Sequence, residues 1–242
     1  MKTASSILRA TILSCVFQAS EALVGVSWSV SNVPSAGLKE ITFPISMPHA
    51  PHVAGYYFAQ QFGFVGQKDI GYTGLQPRPN SGSSSVVHAV FSSFVEGTTS
   101  SDDNCSNGAD GGAGVSCSVD VDTTYAHGYL LEIKNTGGTT WTGTLVDSVT
   151  GQHHHIGSYT LPSGSQGIKD SQMGFVEYYP WNSQPSHSCS SLPKTEVKFG
   201  VPTTSSGNAG KLQNAYEYGD CKGKAGFKSE HSSSGVEVTV GF

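Results

Sequence analysis

The chain predicts an all-β fold, an antiparallel two-sheet sandwich of jelly-roll type, on three observations. Apolar and aromatic residues recur with period two over short stretches, turns rich in glycine, serine and threonine separate those stretches, and no helical period is sustained beyond the N-terminus. At 242 residues the chain is long enough for one sandwich domain with a sizeable core. Thirty glycines with only 13% charged residues describe short strands and tight turns, not a helical bundle. A net charge of −5, with the lysines scattered singly, lacks the basic footprint that nucleic-acid binding needs, so no DNA or RNA partner is expected.

Residues 1–22 combine Lys2, an apolar stretch from Ile7 to Phe17 and the small-x-small ending Ser20-Glu21-Ala22, which together resemble a secretory signal peptide. The expected organisation is therefore a leader over 1–22 and one sandwich domain over 23–242. Nothing later approaches the roughly 18 apolar residues of a membrane span, so a secreted, extracellular protein is expected. Removing the leader leaves Cys105, Cys117, Cys189 and Cys221, an even set suited to an oxidising compartment. Four cysteines allow three pairings. Cys105–Cys117 with Cys189–Cys221 is favoured, because the first pair brackets one glycine-rich loop.

In chain order, Val24, Val26, Trp28 and Val30 fall in phase and predict the first strand, followed by a turn near residues 34–37. Pro44, Pro48 and Pro51 around His49 and His52 predict an irregular connection in place of a central strand. Tyr56, Phe58, Gln60, Phe62 and Phe64 lie on one side of an extended chain, with Tyr57, Ala59, Gln61 and Gly63 on the other. Residues 86–95 form a second alternating strand able to pair with it. Between them, residues 71–79 hold Arg78, the only arginine after Arg9, between two prolines that restrict its backbone. A guanidinium held on a stiff segment suits a planar anionic or polyhydroxyl partner, or else a nearby carboxylate.

Residues 97–119 read as a loop, with Asp103, Asn107 and Gly108 partly echoing a calcium-loop pattern whose middle position here is Cys105. Asp102, Asp103, Asn107 and Asp110 are the candidate calcium ligands; a solvated, disulfide-stapled loop is the alternative. Asn104-Cys105-Ser106 is formally a glycosylation sequon. The segments 129–134, 140–147, 155–161 and 174–179 are a meander of short alternating strands, with Trp141 expected in the core and a sugar platform the alternative. His153, His154 and His155 alternate in direction, which opposes a three-histidine metal site. The stretch Gly174-Phe175-Val176-Glu177-Tyr178-Tyr179-Pro180-Trp181-Asn182 gathers a carboxylate, an amide and aromatic rings, the groups a saccharide site uses, or the core face of a buried strand. A second acidic and aromatic cluster runs from Asn214 to Cys221, ahead of a closing strand at 236–242.

The elements YYFAQQFGF, GYTGLQPR, VHAVFSSF, GFVEYYPWN and YEYGDC resemble a secreted family of unknown function found in fungi and actinobacteria, often beside carbohydrate-related modules. The resemblance covers most of residues 56–220 and implies secretion and a β fold; it brings no catalytic residues with it.

The expected function is a secreted, lectin-like carbohydrate-binding protein, with a polysaccharide hydrolase or lyase as one alternative and a structural or effector protein as another. Tyr72, Gln76, Arg78, His88, Tyr179 and Trp181 are the candidate ligand-binding residues. For catalysis, a hydrolase needs two carboxylates facing one cleft, and Glu177, Glu217, Asp220 and Glu132 are the carboxylates near aromatics. Arg78 and Tyr72 are expected to share one site with Glu177 and Tyr179. The chain carries no nucleophile elbow, phosphate loop or dinucleotide fingerprint.

Overall fold

The computed structural model describes residues 22–242; the leader expected over 1–22 lies outside the described residues except for Ala22. The chain opens with β1 (Ala22–Val30), β2 (Glu40–Ser46), β3 (Tyr56–Gly63), β4 (Ile70–Ser81) and β5 (Ser84–Ser93). It continues through β6 (Cys105–Ala109), β7 (Gly112–Thr123), β8 (Gly128–Gly137), β9 (Thr140–Asp147), β10 (His153–Thr160) and β11 (Ser171–Tyr178). Two short 3-10 turns follow, at Tyr179–Ser183 and Cys189–Ser191, and then β12 (Thr195–Gly200), β13 (Gly210–Leu212), β14 (Tyr216–Glu217), β15 (Lys228–Ser232) and β16 (Gly235–Val240).

These strands form two antiparallel sheets packed as a sandwich. The first runs β13-β1-β11-β3-β4-β5-β7-β6, with β14 also pairing β1, and the second runs β10-β9-β8-β2-β12-β16-β15. The period-two pattern explains the layering, because each strand turns one set of alternating side chains into the space between the sheets. Phe58, Phe62, Phe64 and Phe91 of the first sheet and its connections are fully buried there. Phe64 packs on Trp141 and Phe91 stacks on Tyr159, so rings from both sheets interlock, and Trp141 is a core residue. Each such burial contributes about 1.5–3 kcal/mol relative to exposure. Gly143 is needed opposite Phe91, since a Cβ there would meet the ring.

β8, β9 and β10 are successive neighbours, whereas β11 crosses to the first sheet between β1 and β3. The irregular connection expected around Pro44, Pro48 and Pro51 is found over residues 47–55, but Pro44 itself lies in strand β2 in the interior of the second sheet. Pro44 pairs with Leu130 of β8, while β12 reaches only Ile45 and Ser46. Gly200 on that side leaves the space the proline ring fills, so the missing ladder donor is tolerated. The disulfides are Cys105–Cys117 and Cys189–Cys221. The first joins directly paired positions of β6 and β7 and packs on Gly157 of the opposite sheet.

Strand β3 is buried on both faces. Its core face carries Phe58 and Phe62, and its outer face carries Tyr57 and Ala59, which join Ala22 and Phe175 in a second apolar cluster flanked by Tyr72, Val90, Met173, Tyr179 and Tyr218. That outer cluster floors a cleft.

Candidate active site

Strand register lines up functional side chains across the first sheet. Glu177 of β11 pairs with Tyr57 of β3. Tyr57 and Gln76 continue the Phe58–Leu75 register of β3 and β4 by one position. Gln76 then pairs with His88 of β5, and His88 with Asp120 of β7. Cross-strand partners share a face, so Glu177, Tyr57, Gln76, His88 and Asp120 form one row on the outer face of the sheet. Two strand spacings separate the backbones of Glu177 and Gln76, about 10 Å. The Tyr57 ring leans over Gly74 of β4, where a Cβ would meet it at 2.8 Å as well as the β3 backbone.

A cleft of about 580 Å³ covers this row and is lined by Glu177, Gln76, Arg78, His88, Tyr72, Tyr179, Asn182 and Asp110, among others. Each of its two central polar groups is held by a donor. Asn182 Nδ2 donates to Glu177 Oε1 at 2.7 Å, and the 3-10 turn that starts after β11, with Pro180 early in it, brings Asn182 back over the strand end. Arg78 Nη2 donates to Gln76 Oε1 at 2.7 Å and Arg78 Nη1 to Tyr179 Oη at 3.0 Å. Glu177 is 7% exposed, so its carboxylate is nearly withdrawn from bulk water.

The field in the cleft is set by these groups. Burial pushes the Tyr72 hydroxyl up to about 12, helped by the charges of Asp110 and Glu177 and opposed by a hydrogen bond with Gln61. Tyr57 is raised by burial first and then by the same two carboxylates, which places Asp110, at the turn between β6 and β7, over the cleft. Burial raises the Asp110 carboxyl in turn. His88 is lowered, chiefly by burial and further by Arg78, against the hydrogen bond to Asp120 at 2.6 Å.

Of the residues singled out from sequence, Tyr72, Gln76, Arg78, His88, Glu177 and Tyr179 meet in this cleft. Trp181 does not; it is buried, stacked on His187 and edge-on to Tyr178. Glu217 follows Tyr216 on β14 and accepts the Gly223 N–H, Asp220 pairs with His187 at 3.0 Å, and Glu132 stands on β8 of the other sheet. Asp102, Asp103 and Asp110 do not gather. Asp102 binds His155 at 2.6 Å at one end of β6, and Asp110 lies at the other. The one clustered set of metal-type ligands among the described residues, His187 with Cys189 and Cys221, has its two sulfurs tied in a disulfide. The sequence shows Asn182 only as the amide of the stretch 174–182, without its tie to Glu177, and does not single out Tyr57. The parity of Tyr57 with Glu177 depends on pairing between distant strands, and Asn182 on a turn after Pro180. Gln60 has the opposite parity and faces the core.

No family model matches the chain, and no curated protein matches it in sequence. In shape it is similar to a solved structure of scytalido-glutamic peptidase with a peptide based transition state analog, at TM-score 0.49 and 14% identity, covering 93% of this chain and 100% of that one. It is likewise similar to SCP-B, a member of the eqolisin family of peptidases in a complex with the tripeptide Ala-Ile-His, at TM-score 0.46 and 13% identity, with 93% and 100% covered. At this identity no residue role passes from those proteins to this one. The expectation of a lectin-like protein on polysaccharide, with its hydrolase, lyase and effector alternatives, is corrected: these neighbours are peptidases. Of the four carboxylates named for glycoside cleavage, only Glu177 lines the cleft.

Proposed function

We propose that the protein is a secreted hydrolase of peptide bonds, with Glu177 as general base and Gln76 as the donor to the developing oxyanion. The observation that carries this reading is the row across the first sheet, in which a nearly buried carboxylate and a side-chain amide face one cleft from strands two apart. Glycosyl transfer to water uses a pair of carboxyl groups, whereas acyl transfer uses one base and one oxyanion donor. Opposite Glu177, this row supplies an amide.

In the proposed step a water between the two groups gives a proton to the Glu177 carboxylate as its oxygen attacks the carbonyl carbon. Gln76 Nε2 donates to the carbonyl oxygen as it takes up negative charge. The tetrahedral species then expels the amine, which receives the proton held on Glu177, so the carboxylate is regenerated and no other reactant is needed. Asn182 keeps the carboxylate facing the cleft. Secretion is supported by two disulfides and by the absence, among the described residues, of a helix long and apolar enough to cross a membrane.

The test is digestion of an unstructured peptide library from acid to neutral pH, with new termini read by mass spectrometry. New termini with the wild-type protein and none with Glu177→Gln support the reading; equal cleavage by both, or none by either, overturns it.

A further inference from the structure

Arg78 reaches into the cleft, and among the described residues its side-chain hydrogen bonds involve no carboxylate. Those bonds go to neutral oxygens, Gln76 Oε1 at 2.7 Å, Tyr179 Oη at 3.0 Å and Pro77 O at 3.4 Å. A guanidinium is donor-only, so the atom of Gln76 that faces it must be the carbonyl oxygen. The Nε2 donors then lie in the same plane on the other side of Cδ, away from Arg78. A cationic donor on Oε1 also draws electron density from the amide, which makes its N–H groups stronger donors.

We infer that Arg78 is a positioning residue: it fixes and polarises the Gln76 amide so that Nε2 points at the reacting carbonyl, with Tyr179 holding the guanidinium in place. This rests on the proposed peptide hydrolysis. The rigidity of the arrangement comes from the strand. The Arg78 backbone is pinned independently of its side chain, its N–H donating to Tyr125 Oη at 2.8 Å while that hydroxyl donates to Val86 O at 2.9 Å. Changing the side chain therefore leaves β4 in place. A lysine would not replace it, because a single ammonium on a flexible stem lacks the planar fork that spans Gln76 and Tyr179.

The experiment compares wild type, Arg78→Ala and Arg78→Lys on one peptide substrate, with and without added methylguanidinium. Arg78→Ala is expected to lower kcat about 10- to 100-fold with KM and the melting temperature nearly unchanged, as a misaimed donor should. Methylguanidinium should restore part of the kcat of Arg78→Ala, and Arg78→Lys should stay impaired. A rise in KM at unchanged kcat, or a fall in melting temperature that accounts for the lost activity, overturns the inference. A second readout does not depend on turnover. The two proton signals of the Gln76 side-chain amide, assigned by their loss in Gln76→Glu, should shift in Arg78→Ala. Signals unchanged between the two proteins overturn the positioning role even if no peptide is cleaved, whereas shifted signals without cleavage leave it standing and refute the hydrolase reading alone.

Discussion

Asp147 and Glu177 are both carboxylates withdrawn from water, at 3% and 7% exposure, on opposite sheets. Asp147 ends β9, where its Oδ1 accepts the N–H groups of Val149 and Thr150 at 2.9 and 3.1 Å and its Oδ2 meets His127 Nδ1 at 2.8 Å. Two of those donors are backbone groups two and three residues away, so the carboxylate closes the turn that leads into β10. Burial alone would raise its pKa, yet His127 and the two N–H groups outweigh it and hold the group at about 2. Glu177 sits within the length of β11, in register with Tyr57 and in a row with Gln76, over a cleft. A buried carboxylate bonded by its own turn serves the fold; one aligned with groups from distant strands in a concavity is placed for chemistry.

The widest separation between the two should appear on exchanging charge for amide. Glu177→Gln is expected to lower peptide turnover about 100- to 10,000-fold, the range for loss of a general base. Its unfolding free energy should move little, and Asp147→Asn should leave turnover intact. Parallel kinetics and urea melts check both halves, and a large stability loss in Glu177→Gln would make that carboxylate structural.

Next in size is Asp147→Ala, expected to cost about 1–3 kcal/mol because it leaves buried donors unpaired. The pH dependence carries a definite sign. A carboxyl whose folded value lies below its ordinary 3.8 contributes stability that is complete above 3.8 and lost as pH falls towards about 2. The gap between wild type and Asp147→Asn in urea midpoint should therefore be wide at neutral pH and close across that acid window. A gap independent of pH would show that the carboxylate's charge is not what stabilises the turn.

The smallest effect belongs to the far end of the row. Asp120 is 63% exposed at its side chain, so its pair with His88 adds little to stability, within about 1 kcal/mol. Asp120→Asn should nevertheless lower the His88 pKa further, since Asp120 is the group that opposes burial and Arg78 there. An NMR titration of His88 reads this directly; an unchanged or raised value would remove Asp120 from the electrostatics of the row.

Strands and layers were legible because alternation is local. Tyr56 to Phe64 displays both faces of β3 within nine residues, and the structure buries them as the pattern requires. Pro44 misled because a proline in a strand is judged by its missing donor, while what decides is the space its neighbour leaves, here Gly200 from far along the chain. In the cleft, residue types were readable and their grouping was not derivable from spacing. Arg78, Gln76 and Glu177 stood out by chemistry, but which of Glu177, Glu217, Asp220 and Glu132 would face them depends on β11 inserting between β1 and β3. Asp110 looked like a calcium ligand because it neighbours other acids in sequence, and the hairpin carries it away from Asp102.

That hairpin has a mechanical consequence. Cys105–Cys117 ties β6 to β7 at the end of the ribbon where Gly157 of the facing sheet abuts the sulfurs, and Asp110 lies at the opposite end, in the left-handed turn with φ of 48°. A ribbon clamped at its root cannot slide along its neighbour; it can only swing. β7 stays paired with β5 out to Val115, so the part free to swing is the roughly 10 Å from Val115 to the turn, and a swing of about 10° carries the tip about 2 Å. Cys117 of the staple itself lines the cleft, so the root of this lever is part of the wall of the site, and the swing of the tip sets how closely the Asp110 carboxyl approaches whatever lies on the row beneath it.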